Sequence, residues 1–293
     1  MRSDRLRWRD VLLTAITPII WGSTYIVTTQ VLPPDRPFIA ALIRVLPAGL
    51  LLVLASGYRL PRAQWGRMLL LSALNIGAFQ ALLFVAAYRL PGGLAAVVGA
   101  TQPLLVMSLA WGLDRQQPAR MALWGSLAGV AGMAALLLSP GSRWDSVGML
   151  AAMVGAVSMA CGTYLSRRWQ SSIPVLAMTG WQLLLGGLML APLALLVDPP
   201  LPALRPTEWL GYGYLSLFGA LLAYLLWFRG LSRLSPVAVS SLGLLSPLTA
   251  VLLGWLLLGQ SLSTFSLLGL CTVLAGVLTV QRGMMPRPAR SCP

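Results

Sequence analysis

The sequence predicts an all-α integral membrane protein of ten transmembrane helices, arranged as two inverted five-helix repeats around a central cavity. Composition, the spacing of apolar windows and an internal duplication carry that expectation. Of 293 residues, 57% are hydrophobic and 10% charged, with a mean hydropathy of +0.79. Soluble domains carry about 25% charged residues, so this chain is read as polytopic in a membrane. The net charge of +14 comes from arginine alone, since lysine is absent. Those arginines gather at the ends of apolar windows, which marks topology signals and excludes a nucleic-acid partner.

Windows able to cross about 30 Å of hydrocarbon fall at 11–31, 38–57, 65–87, 92–112, 119–138, 147–165, 175–197, 209–228, 236–258 and 264–281. The first follows MRSDRLRWRD and runs through Trp21 and Tyr25 without a small-x-small cleavage site, so it is expected to be a retained helix. The second opens after Pro33-Pro34-Asp35-Arg36-Pro37, and the seventh closes at Asp198-Pro199-Pro200, both helix-ending signals. The fourth and ninth each carry a central Gly-xxx-Pro, Gly99 to Pro103 and Gly243 to Pro247, which bends a helix by removing a backbone bond. The fifth and tenth carry small-xxx-small faces at Gly125, Gly129, Gly132, Gly269 and Gly276, suited to close helix contact within the fold.

With a cytoplasmic amino terminus, sixteen arginines fall on the cytoplasmic side and four, Arg36, Arg89, Arg143 and Arg205, on the other. Arg44 lies inside a helix. This positive-inside bias predicts that both termini are cytoplasmic.

Arg89 to Trp111 and Arg233 to Trp255 agree at Arg, Leu, Gly, Pro, Leu, Leu and Trp with an offset of 144 residues. Across residues 65–132, 18 of 68 positions match at that offset, against about six by chance in so Leu-rich a composition. An offset near 138 aligns the earlier helices, pairing Gly49 with Gly187 and Arg44 with Gln182. The chain therefore reads as two units, 1–142 and 143–293, with the seam near 140–146. A unit with five spans ends on the side opposite its start, so its copy enters upside down, which is the architecture of secondary transporters.

The polar inventory narrows the chemistry. Histidine is absent, and all seven acids, Asp4, Asp10, Asp35, Asp114, Asp145, Asp198 and Glu208, fall in the terminus or in connections. An intramembrane hydrolase, protease or metal-dependent transferase needs a base, a carboxylate pair or metal ligands at depth. No enzyme, no cofactor and no metal site is expected, and a proton relay through titrating side chains is disfavoured.

Within the spans stand Arg44, Asn75, Gln80, Gln102 and Gln182, hydroxyls including Thr101, Thr163 and Ser241, and aromatics including Trp21, Phe79, Tyr164, Tyr224 and Trp227. Interhelical hydrogen bonds and interface belts account for many of them. As a set they form a wall of amides, hydroxyls and flat rings, suited to small amphipathic solutes such as amino acids. Arg44 either snorkels toward Asp35, bonds a helix carbonyl, or anchors a substrate carboxylate.

The chain resembles the drug/metabolite transporter superfamily, in particular proteins with two EamA-type domains. The resemblance rests on Trp21-Gly22-Ser23, Arg44, the Gly-xxx-Pro helices, the Leu258 to Gln260 turn and the Gly-rich fifth and tenth helices, and it covers nearly the whole chain. Two departures stand out: the family often has an acid where Gln260 stands, and the matching first-half turn reads Asp114-Arg115. The resemblance implies an inner-membrane exporter, most like YddG-type exporters of aromatic and other amino acids, with helices 1, 3, 4, 6, 8 and 9 around the cavity. By position it implies Trp21, Asn75, Phe79, Gln102, Tyr164, Tyr224 and Ser241 as cavity residues, with Pro103 and Pro247 as bends. Together with Arg44, Gln80 and Thr101 these are the candidate substrate-binding residues, and Gly99, Pro103, Gly243 and Pro247 the candidate hinge.

The expectation is a bacterial inner-membrane exporter of small amphipathic metabolites, chiefly amino acids, working by alternating access. A lipid flippase or a non-transporting membrane scaffold is the alternative. A small-molecule substrate and the lipid bilayer are the expected partners, and the chain is expected as a monomer or weak dimer.

Overall fold

A computed structural model describes residues 2–89, 92–137, 145–169, 173–259 and 263–284. Residues 140–144 of the expected seam, Arg143 and Trp144 among them, and Gln260 lie outside the described residues. Among the described residues every regular element is helical, and ten helices are long and apolar enough to cross a membrane. They are α1 (Leu6–Gln30), α2 (Pro37–Ser56), α3 (Arg62–Leu83), α4 (Ala96–Asp114), α5 (Arg120–Leu137), α6 (Ser146–Arg168), α7 (Val175–Leu196), α8 (Pro206–Arg233), α9 (Pro236–Leu258) and α10 (Thr264–Gly283). The helical backbone of α1 starts at Arg2, and α3 continues to Arg89. Several helices thus outrun their apolar windows, because the arginine-bearing ends lie where polar side chains meet water.

α5 packs along α10 and α2 along α7, while α1 packs on α8 and α9 and α6 on α3 and α4. The first two pairings are reciprocal. A Cβ added at Gly125 would lie 2.8 Å from the Gly276 carbonyl oxygen, and one at Gly269 would lie 2.7 Å from that of Gly132. Gly125 matches Gly269, and Gly132 matches Gly276, at the 144-residue offset. Likewise Gly49 abuts the Leu184 backbone and Gly187 abuts Leu46, counterparts at the 138-residue offset. Contacts in which i meets j and the copy of j meets the copy of i are the signature of a two-fold relation. Lipid offers helices no hydrophobic drive to associate, so this backbone-to-backbone approach, open only to small residues, supplies the van der Waals contact.

Four departures from regular helix recur at the same offset. α3 holds a π-helical stretch at Ala73–Gly77, and α8 holds one at Leu215–Leu222. α4 breaks between Gly99 and Gln102, and α9 between Leu242 and Leu245. At each break the backbone tightens to i+3 bonds, Leu104 N–H to Thr101 O at 2.9 Å and Ser246 N–H to Gly243 O at 3.1 Å. Pro103 and Pro247 follow within three residues and lack the N–H that a continuous helix would use there. The turn after each second half-helix takes a positive φ, 54° at Arg115 and 65° at Gly259. Glycine adopts this without strain, whereas arginine carries a cost of about 1–2 kcal/mol.

Two ends of the bundle are tied by polar contacts. At the end holding the start of α1, Asp10 pairs with Arg229 at 2.6 Å and Arg233 at 3.6 Å, and Asp114 pairs with Arg168 at 2.7 Å. Arg167 there donates to the carbonyls of Leu231 and Ser232. At the other end Arg89 meets Asp145 at 3.6 Å, and the Asp198 carboxylate accepts from the Ile39 N–H at 2.6 Å. Asp198 thereby caps the start of α2 from the end of α7, favourably placed against the helix dipole. Burial pushes its carboxyl above the ordinary range, against the lowering effect of the Ile39 and Phe38 N–H groups.

Gly276→Val places methyls into the Gly125 carbonyl, and overpacking of this kind costs about 1–3 kcal/mol. The expected outcome is a lower thermal unfolding midpoint in detergent by differential scanning fluorimetry, with no such loss for Gly66→Ala, which has open space around it.

Candidate functional site

Irregular backbone at membrane depth is tolerated only where protein satisfies it, and here α1 and α6 do so. Thr17 donates to the Ala223 carbonyl at 2.8 Å beside the π stretch of α8, and Ser158 donates to the Leu74 carbonyl at 3.0 Å within that of α3. The Gly219 carbonyl, inside the α8 stretch, accepts two bonds, from Trp21 Nε1 at 3.0 Å and from Arg44 Nη2 at 2.9 Å.

Around this carbonyl the centre of the molecule assembles. The Trp21 ring lies 5.1 Å from both Tyr224 and Trp227, in tilted contact. Gln80 Nε2 donates to the Tyr224 hydroxyl at 3.2 Å, with both residues almost fully buried. Gln80 and Tyr224 are counterparts at the 144-residue offset, so a residue meets its own copy, as happens only near a two-fold axis. Gln102 Nε2 reaches the Thr163 hydroxyl at 3.4 Å across α4 and α6. Gly243, in the α9 break, faces Trp227 and the Gln102 amide. Phe79 is half-buried against the same core.

Four of the expected lining residues are engaged elsewhere. The Tyr164 hydroxyl donates to Asp114 at 2.6 Å and accepts from Arg168, in the polar cluster at the α1-start end. Ser241 bonds its own helix at Ala238 and accepts from Gln281 of α10 at 3.1 Å. Thr101 bonds back to Val98 and serves the α4 break. Asn75 donates to Gln182 at 2.8 Å and to Ser166 at 3.1 Å, tying α3 to α7 and α6. Trp227, Thr163 and Gly219 join the centre instead. The repeat offset, which sets Gly219 opposite Asn75, was the available signal for Gly219.

Arg44 lies seven residues inside α2, roughly 10 Å from its start at 1.5 Å per residue. It bonds a helix carbonyl and pairs with no carboxylate among the described residues. An arginine at the middle of a span costs about 2.5–3.5 kcal/mol on insertion scales. Its counterpart contact explains how the site accommodates it. Gln182 meets Asn75 where Arg44 meets Gly219, so the longer cation sits opposite the residue with no side chain.

At the centre Trp21 packs on Tyr224 and Trp227, and Gln80 bonds Tyr224. Two hollows lie at the periphery. One, of about 410 Å³, lies between α4 and α6 and is lined mainly by Leu105, Leu109, Val157 and Cys161. The other, of about 520 Å³, lies over the α5–α10 contact.

Gln80→Leu strands the buried Tyr224 hydroxyl, a loss of about 1–3 kcal/mol. Adding Tyr224→Phe removes the stranded group, so the double variant is expected to recover most of the thermal midpoint. Comparing the three midpoints measures the axial bond.

The chain is 44% identical over 267 residues to Protein PecM of Dickeya dadantii, covering 90% of this chain and 89% of that one. It is 31% identical to the inner membrane transporter YedA of Escherichia coli K12, covering 93% and 90%. A solved crystal structure has the same fold at 21% identity, with a TM-score of 0.78 over 92% of this chain and 96% of that one. The EamA-like transporter family matches twice, over residues 8–138 and 146–281. The chain thus belongs to the EamA-like transporter family, and is a membrane transporter of the drug/metabolite type.

Proposed function

We propose that the protein is a bacterial inner-membrane carrier that exports small amphipathic metabolites, amino acids including aromatic ones among them, by alternating access between two inverted halves. The observation that carries this reading is a matched pair of latches. Arg233 meets Asp10 at 3.6 Å at one end of the bundle, and Arg89, its counterpart, meets Asp145 at 3.6 Å at the other. Each arginine closes the end of its own half onto the first helix of the other half. Five spans per half put the two latches on opposite membrane faces, and opening them in turn around the Gln80–Tyr224 axis exposes the centre first to one side and then to the other. Pro103 and Pro247, at the breaks of α4 and α9, are where each half flexes.

The latches differ in strength. Asp10 also holds Arg229 at 2.6 Å, and its side chain is 14% exposed against 39% for Asp145. The position matching Arg229 in the first half is Val85. An exposed pair contributes about 0–1 kcal/mol, and a shielded cluster more. The latch at the amino-terminal, cytoplasmic end thus favours the conformation closed on that side. The apolar hollow between α4 and α6 supports the second reading, a lipid flippase whose groove takes an acyl chain.

Proteoliposomes loaded with phenylalanine are expected to lose it faster than empty-bilayer controls, and absence of flux for every amino acid sinks the solute reading. Lipid scrambling that survives Gln80→Ala and Tyr224→Ala, without solute flux, favours the flippase. Asp10→Asn should raise labelling of single cysteines at the amino-terminal end several-fold, and Asp145→Asn should act more weakly at the opposite end. Pro103→Ala with Pro247→Ala is expected to slow flux while leaving insertion intact.

A further inference from the structure

The charges at membrane depth are unbalanced in a way that names the group recognised. Among the described residues Asp10, Asp114, Asp145 and Glu208 are engaged by arginines at the bundle ends, and Asp198 by the Ile39 N–H. Among the described residues Arg44 bonds the Gly219 carbonyl, and its Nε is buried with no acceptor there. The titratable groups facing it are the hydroxyls of Tyr224, Tyr25 and Tyr214, not carboxylates.

The other half of the chain shows the neutral solution to the same packing problem. There Gln182 takes the place of Arg44, and its amide oxygen is bonded by Asn75, which also bonds Ser166. In the Arg44 half the facing residue is Gly219, where even a Cβ would come within 3.5 Å of Nε. One position is neutral, with Gln182 Nε2 and Asn75 Oδ1 buried without partners among the described residues, and its copy carries a charge that no described carboxylate neutralises. The two copies thus differ in charge rather than in being fully satisfied.

We infer that Arg44 receives the carboxylate of an amphipathic organic acid, with Trp21 and Tyr224 forming the wall for its apolar or aromatic body, and that the substrate needs no ammonium group. The Gly219 carbonyl holds two donors at once, Trp21 Nε1 and Arg44 Nη2. A carboxylate oxygen arriving there takes over as a stronger, charge-assisted acceptor, and the guanidinium presents Nε and Nη in the fork that fits it. An ammonium finds only carbonyls, amides and hydroxyls at this depth, since no described carboxylate lies there. Monocarboxylates are therefore bound at least as well as the corresponding amino acids, and amines without a carboxylate are rejected.

This inference rests on the solute-carrier reading and is tested by binding, which that reading does not depend on. Purified full-length protein in nanodiscs is titrated with phenylacetate, phenylalanine and phenethylamine at up to millimolar concentration, following quenching of tryptophan fluorescence and, in parallel, calorimetry. The expected order is phenylacetate at least equal to phenylalanine, with phenethylamine at least tenfold weaker. Arg44→Gln, which installs the residue of the other half, should weaken phenylacetate at least tenfold and erase the preference over phenethylamine. Arg44→Lys should keep the preference in part, and Arg62→Gln, at the exposed start of α3, should match the wild type. The thermal midpoint shows whether Arg44→Gln folds, and if it does not, the ligand order with Arg44→Lys decides. Equal binding of phenethylamine, an unchanged affinity in folded Arg44→Gln, or no binding of any of the three overturns the proposal. Amino-acid flux indifferent to Arg44 also overturns it while leaving the carrier reading standing, whereas absent flux with carboxylate binding fails the carrier reading alone.

Discussion

Hydrocarbon offers no partner to a backbone amide or carbonyl, so every irregular turn in a span must be answered by another part of the protein. Among the described residues there are four such turns, the π stretches of α3 and α8 and the breaks of α4 and α9. They can exist only in the interior, and their partners must come from neighbouring helices. Thr17, Trp21 and Arg44 answer α8, and Ser158 answers α3. The same polar side chains that satisfy the backbone therefore populate the centre where a solute would be handled.

The two-fold contact pattern has a second consequence. Reciprocal glycine approaches on α5–α10 and α2–α7 build rigid seams at the periphery, where small residues allow backbones to meet. The inner helices are joined instead by a few hydrogen bonds, tilted rings and ion pairs at the ends. Both seams join a helix of one half to a helix of the other, so the halves are held tightly at the periphery and by sparser polar contacts at the centre, around Gln80 and Tyr224. Symmetry is broken where chemistry is needed: Arg44 against Gln182, Gly219 against Asn75, and Arg229 against Val85.

Much of the site was written in residue types, and its pairings were not. The polar inventory grouped Trp21, Gln80, Gln102 and Tyr224, which the fold places near one another at the centre. It could not foresee that Tyr164 turns to Asp114 and Arg168, or that Ser241 turns to Gln281. Those choices follow from helix rotation, and a π stretch changes the rotation of everything beyond it. Neither π stretch has a residue signature, so Asn75 read as a neighbour of Phe79 rather than as a link to Gln182 and Ser166.

By itself the sequence determined that the chain lives in a membrane, crosses it ten times and is built by duplication. These properties are sums over local composition and survive any error in rotation or register. The tertiary structure alone decided where the π stretches fall, which copy meets which, and that Arg44 faces the Gly219 carbonyl rather than an acid. Those outcomes depend on distances between residues more than a hundred positions apart, as between Arg44 and Gly219, and no local property of the chain encodes such a distance.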